Sequence, residues 1–151
     1  MVWKPNVTVA AVIEQEGRFL MVEEKAPGVK RTVFNQPAGH LDEGESIINA
    51  TIRETMEETA HSFIPTAIVG IYRWIEPKST TTFLRICFTG EITAHDLTAP
   101  LDDGIIAAHW LTLDEIHQLG PRLRSPLVRH CIDDYLAGRR YPLALLVDIG
   151  V

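Results

Sequence analysis

The sequence predicts an α+β fold, a mixed β-sheet flanked by helices in an α/β/α sandwich. Three observations carry this reading. β-rich apolar segments recur through the first two thirds of the chain, a single stretch of helical period interrupts them, and two well-capped helix signatures close the last third. A length of 151 residues suits one domain, spanning 1–151, around a single core.

Taken in order, Val7–Ile13 ("VTVAAVI") is apolar and β-rich, "EQEG" offers a turn at Glu16-Gly17, and Phe19–Val22 resumes the strand signal. This opening reads as a β-hairpin. Residues 25–31 ("KAPGVKR") read as a loop, and a short strand leads into "FNQPAG". From Ser46 to about Thr59 the apolar period becomes helical, and Pro65 blocks any continuation. Strands are expected over Ala67–Ile75, Thr82–Ile92 and Ile105–Leu111, with a loop at 93–104 ("TAHDLTAPLDDG"). Thr112 can cap a short helix whose first turn holds Asp114 and Glu115, where the dipole favours anions. Ser125-Pro126 starts another, and Gly138 stands where such a helix would end.

Composition narrows the function. With 46% hydrophobic and 23% charged residues the chain can bury a core, and no apolar run approaches the ~20 residues of a membrane span. The first ten residues lack the layout of a signal peptide. Cys87 and Cys131 are far apart and form no CxxC pair, which argues against a disulfide scaffold or zinc site and for the cytoplasm. A net charge of −6 disfavours nucleic-acid polymers. Phosphate chemistry in such a chain requires clustered arginines or a bound cation. The chain is expected to be a monomer or a homodimer.

The most informative stretch is residues 53–58, "RETMEE". At 100° per residue, Glu54, Glu57 and Glu58 share an arc of roughly 100°, with Ala50 in the same sector leaving that face open. Ile48, Ile52, Thr55 and Thr59 form the opposite, core-facing side, where the Thr55 hydroxyl returns to a carbonyl one turn back. Like charges four apart, near a helix C-terminus, are destabilising. Two readings follow: a solvated acidic face, or a site for a hard cation such as Mg²⁺ or Mn²⁺, which prefers carboxylate oxygens.

Upstream, "GHLDEGE" at 39–45 feeds this helix. Five residues separate Gly39 from Glu45, seven more precede Arg53-Glu54, and Glu57-Glu58 follow two residues later. This spacing resembles the Nudix box, and the chain is identified as a member of the Nudix hydrolase family. The resemblance implies a Nudix fold and Mg²⁺-dependent (or Mn²⁺-dependent) cleavage of a phosphoanhydride in a small phosphorylated substrate. It implies that Glu57 and Glu58 bind metal, that Glu54 binds metal or orients the attacking water, and that the backbone carbonyl of His40 is a further ligand. Arg53 and Glu45 correspond to a buried pair that holds the loop against the helix. Three positions depart from the box: Thr55 and His61 replace aliphatics, and Ala60 replaces a helix-capping glycine. The helix is therefore expected to run on past Ala60 or to end by another route, with His61 a partner of the helix dipole rather than a catalytic group.

"KPNVTVA", "NQPAGHL", "FLR" at 83–85, "LRSPLV" and "GRRYPL" resemble the NudJ-type phosphatase branch. That branch implies release of phosphate from nucleoside di- and triphosphates or from the pyrophosphate of the thiamine pyrimidine precursor. The alternatives are ADP-ribose or oxidised nucleotides as substrates, or a non-catalytic nucleotide-binding module. Among substrate contacts, Arg85 reads either as a partner for a terminal phosphate or as a surface ion pair. Trp74 and Phe83 can sandwich a flat ring or fill the core. Asp102 and Asp103 lie in a loop that can carry an extra base or ligand, or simply form a turn. Arg122, Arg124, Arg139 and Arg140 read as phosphate contacts or as solvated helix ends.

Overall fold

The computed structural model describes residues 2–150. Eight strands and three helices follow one another: β1 (Asn6–Val12), β2 (Glu14–Gln15), β3 (Arg18–Glu24), β4 (Val33–Asn35), β5 (Ala38–His40), α1 (Ile47–Thr59), β6 (His61–Ile75), β7 (Thr82–His95), β8 (Ile105–Thr112), α2 (Leu113–Leu119) and α3 (Pro126–Leu136). Single 3₁₀ turns follow at Gly120–Arg122 and Leu143–Leu145.

The strands form two sheets. One has the order β5-β1-β7-β6 and is mixed, since β1 runs parallel to β7 while the other pairs are antiparallel. The other is built on β3, which pairs with β2, β4 and β8. Helices cover both faces of the mixed sheet. On one face Ala10, Cys87 and Val69 pack with Val128, Cys131 and Ile132 of α3. On the other, Val9, Ala11, Ile86 and Phe88 pack with Ala50 of α1.

This arrangement corrects the expected opening hairpin. The turn at Glu16-Gly17 forms, but β1 has both edges occupied, by β5 and β7, so Ile13–Gln15 rather than all of Val7–Ile13 fold back, onto Arg18–Leu20. The unbroken apolar run from Val9 to Ile13 fits a strand buried on both faces rather than a hairpin arm with one wet side. β6 also begins earlier than expected, at His61. Pro65 stops no element; it lies within β6 at a register shift before Ala67, where its missing N–H breaks no ladder bond.

Helix α1 starts at its Ser46 cap, whose side chain accepts from Asn49 N. It ends at the position the box would assign to glycine. Ala60 adopts the left-handed conformation itself (φ 57°, ψ 25°), and its N–H donates to Met56 O at 2.9 Å. The helix therefore does not run on. The conformation costs an L-residue about 1–2 kcal/mol, and the buried Ala60 is held in it by an Asp96 N–H donated to its carbonyl at 2.9 Å. His61 Nδ1 lies 2.6 Å from Thr59 O, while its ring stacks on His95. Burial lowers the His61 pKa, so it satisfies the helix end as a neutral ring.

Thr55 is buried, and its hydroxyl donates to Thr51 O at 2.8 Å, as expected. Thr51 and Thr59 make the same bond one turn away. Ala50 is corrected: it is fully buried, so the sector it shares with the glutamates faces protein and not solvent.

Candidate functional site

The site is built where α1 crosses the edge strand β5. Gly39 makes the crossing possible: a Cβ added there would lie 2.1 Å from the Glu54 carboxyl carbon. Only glycine lets that carboxylate rest on the strand backbone. One residue earlier, Ala38 N–H donates to Glu58 Oε1 at 2.8 Å.

Arg53 organises the loop and the carboxylates together. It grips Glu45 through both carboxylate oxygens, Nε to Oε2 at 3.0 Å and Nη2 to Oε1 at 2.7 Å. Nη2 also donates to the His40 carbonyl at 3.0 Å, and Nη1 donates to Glu54 at 2.9 Å and Glu57 at 3.1 Å. The Glu45–Arg53 pair thus closes the 39–45 loop onto the helix. Its hydrogen bonds to Arg53 hold the Glu45 carboxyl below the usual range, aided by the Asp42 N–H.

One arginine does not neutralise this cluster. Burial pushes the Glu58 carboxyl up to about 9, with the charges of Glu24, Glu54 and Asp102 adding to the effect. Burial likewise raises Glu54 to about 7, reinforced by Glu57 and Asp102 and opposed by Arg53. Glu57 is raised as well, first by burial and then by Asp102. Asp102 reaches the cluster because its N–H donates to Glu57 O at 3.0 Å, pinning the loop to the last turn of α1.

These groups form a hard-oxygen donor set with surplus negative charge, which fits a divalent cation of the Mg²⁺ class. Among the described residues no three His, Cys, Asp or Glu side chains converge on one point, and Arg53 is bonded to both Glu54 and Glu57. The His40 carbonyl, bonded to Arg53, keeps a second lone pair.

Beyond β5 the mixed sheet floors a cavity of about 350 Å³, on the side covered by α3. His40, Thr8 and Arg85 stand in register across β5, β1 and β7. Arg85 is not a surface ion pair. It is 5% exposed, and its Nη1 donates to Gln36 Oε1 at 3.0 Å. Trp74 and Phe83, directly opposed on β6 and β7, also line the cavity. Their centroids are 5.8 Å apart with planes 23° apart. They stack on each other, so no ring fits between them; they present one aromatic wall.

Asp103 is exposed and does not line the cavity; its neighbour Asp102 is the residue brought to the glutamates. Of the C-terminal arginines, Arg124 lines the cavity and donates to Glu24 at 2.7 Å. Arg122 lies over Phe34 and bonds Thr32, Arg139 pairs with Asp134, and Arg140 lies over Tyr135. Glu24, Asn35 and Gln36 carried no site signal in the sequence, yet all three are buried here. The available hint was the polar pair Asn35-Gln36 in "FNQPAG", at the end of a short strand, Val33–Asn35, with no solvated face.

Comparison with known proteins agrees with this geometry. Residues 3–131 match the NUDIX domain. The chain is 42% identical over 148 residues to the Phosphatase NudJ of Escherichia coli K12, covering 98% of this chain and 94% of that protein. It is 51% identical to a solved NUDIX hydrolase of Nitrosomonas europaea, with a TM-score of 0.94 over 97% of this chain and 98% of that one. The NUDIX domain of Shewanella oneidensis NrtR, solved with ADP ribose, shares the fold alone: 17% identity and a TM-score of 0.73, over 91% and 90% of the two chains. With the box residues clamped as described and relatives matched over almost the whole length, the chain belongs to the Nudix family and is a hydrolase acting on phosphoanhydride bonds of small phosphorylated substrates.

Proposed function

We propose that the chain is a Mg²⁺-dependent phosphatase of small diphosphates and triphosphates, acting on nucleoside di- or triphosphates or on the thiamine pyrimidine pyrophosphate. The observation that carries this reading is the burial of Glu54 and Glu58 against β5, where ionisation is disfavoured until a cation arrives. Glu54, Glu57 and Glu58 would hold the ion, with the His40 carbonyl as a further donor. A bound divalent ion would lower the pKa of a coordinated water and offset the phosphate charge.

The remaining work belongs to the chain's own residues. Glu54, poised near neutrality, suits proton abstraction from the attacking water. Arg53 and Glu45 fix the loop and thereby the β5 carbonyls. Arg85 meets a phosphoryl group, and the Trp74–Phe83 wall stacks a flat ring on its open face. Both cysteines are buried free thiols, which suits a reducing cytoplasm.

The test is turnover of Glu57→Gln with saturating Mg²⁺, alongside a panel of nucleoside di- and triphosphates, ADP-ribose and the thiamine pyrimidine diphosphate. Orthophosphate and pyrophosphate are scored separately. Turnover should fall by about 10²-fold or more in the variant. Near-wild-type turnover would sink the mechanism, and pyrophosphate as sole product would sink the phosphatase assignment.

A further inference from the structure

Among the described residues, Arg85 is a buried cation without a counter-ion. Its polar partners are neutral: Gln36 Oε1 at 3.0 Å, Asn35 Oδ1 at 3.5 Å and Cys131 Sγ at 4.0 Å. Its Nε has no partner at all, and none of the ion pairs among the described residues includes it. Buried charges are ordinarily paired, because the unpaired state is costly. The neutral holders are themselves fixed. Gln36 donates to Val128 O at 2.6 Å and so ties Arg85 to the first turn of α3, whose positive dipole end borders the same cavity.

The strand register says which part of a substrate arrives there. Phe83 stands two residues from Arg85 along β7, about 7 Å away, with Trp74 opposite it on β6. His40, beside the Gly39–Glu54 crossing, stands two strands away, about 10 Å. Arg85 therefore occupies the corner between the aromatic wall and the glutamates. The cavity joins the wall to β5, so a substrate with its ring on the wall and a phosphoryl group toward the glutamates brings its intervening phosphate within reach of Arg85.

We infer that Arg85, held by the neutral amides of Asn35 and Gln36 with its own charge uncompensated, is the seat of the ring-proximal phosphoryl group, which places the terminal phosphoryl of a diphosphate at the glutamates. Asn35 and Gln36 are positioning and specificity residues, and their neutrality keeps the arginine available to the substrate. Hydrolysis of a diphosphate in this register transfers the terminal phosphoryl group to water. It gives orthophosphate and leaves the monoester on Arg85. Diphosphates esterified at both ends are disfavoured, because their second organic group would fall on the carboxylates. This inference rests on the phosphatase reading above for its chemistry, but not for its binding site.

Asn35→Asp tests it, since the change is isosteric and supplies Arg85 with an internal carboxylate. KM and kcat for a nucleoside diphosphate, inhibition by the nucleoside monophosphate, and the Mg²⁺-induced rise in melting temperature are measured on the full chain. Asn35→Asp should raise both KM and the monophosphate inhibition constant by about 10- to 100-fold, the range of one lost charge-assisted hydrogen bond. kcat should change far less than KM, and the Mg²⁺ response should persist. Asn35→Ala, which adds no charge, should raise both constants less. Unchanged monophosphate inhibition in Asn35→Asp would overturn the inference. If the wild type hydrolyses neither nucleoside di- or triphosphates nor the thiamine pyrimidine diphosphate, the phosphatase reading fails, and calorimetric binding of the monophosphate still decides the seat: no wild-type binding overturns it, while binding lost in Asn35→Asp supports it. If Asn35→Asp does not fold, Arg85→Gln takes its place with the same expected losses.

Discussion

Replacing Glu58 by glutamine is expected to stabilise the metal-free protein and to remove most of its gain from a divalent cation. Glu58 sits against the Ala38 N–H with its carboxyl pushed to about 9, above an ordinary value of 4.5. Between these two values the folded chain keeps a proton that the unfolded chain releases. The folded state then binds more protons than the unfolded one, so stability falls as pH rises through the window. At about pH 8, holding Glu58 protonated costs up to about 5 kcal/mol. Glutamine avoids that cost but still loses water and leaves its own amide donors short of partners, so the net recovery is roughly 2 kcal/mol. For a chain of this size the change is about 4–8 °C in melting temperature.

The assay is thermal melting of wild type and Glu58→Gln from about pH 5 to 9, with chelator and with Mg²⁺. With chelator, the wild-type melting temperature should fall across this range and the variant's should fall less. With Mg²⁺ the order should reverse near pH 8, since the cation binds the ionised carboxylate and stabilises only the fold that presents it. A variant that melts below the wild type in chelator at about pH 8 would refute the electrostatic argument. So would a metal-free wild type that grows more stable between about pH 5 and 8.

Arg53→Lys keeps the charge but cannot grip Glu45 through two oxygens while bonding the His40 carbonyl; it should lose about 2–3 kcal/mol by chemical denaturation and most of its turnover. Trp74→Ala should raise KM for ring-bearing diphosphates by about 10-fold, with inorganic pyrophosphate unaffected, because it removes one side of the stacking wall. Arg85→Met should melt higher than the wild type, by about 1–2 kcal/mol, while binding phosphate esters worse, since it removes an unpaired buried charge. A melting temperature below the wild type would show that the bonds to Gln36 and Asn35 outweigh that charge.

The carboxylate helix was legible because its signal is local. Spacing on one helix and a glycine-bracketed loop needed no tertiary information, and the Glu45–Arg53 grip lies within the same twenty-residue stretch from Gly39 to Glu58. The first arm of the opening hairpin was misplaced because a local strand signal does not reveal how many strands a segment will pair with, and β1 found two. Helix α1 was expected to run on past Ala60 or to end by another route, because propensity argues against alanine in the left-handed region. Tertiary context decided otherwise, with the Asp96 N–H and β6 beginning at His61 fixing the turn.

The cavity residues were illegible for a related reason. Glu23 and Glu24 are adjacent and chemically identical, but Glu23 turns to His109 and Thr32, while Glu24 turns to Arg124 and the glutamate cluster. Only the pairing of β3 with both β4 and β8 separates them. Arg85 shows the same point with opposite sign. The sequence offered it a phosphate or a surface carboxylate, and the fold buries it among amides, where no carboxylate arrives. At the glutamates the chain gathers negative charge that an arginine only partly offsets, and at Arg85 it buries a positive charge with neutral partners. Each is costly alone, and Arg85 stands two strands, about 10 Å, from His40 beside the Gly39–Glu54 crossing. A cation on the first and a phosphate spanning both would relieve the two costs together, which is why stability and ligand binding should move in opposite directions when either charge is removed.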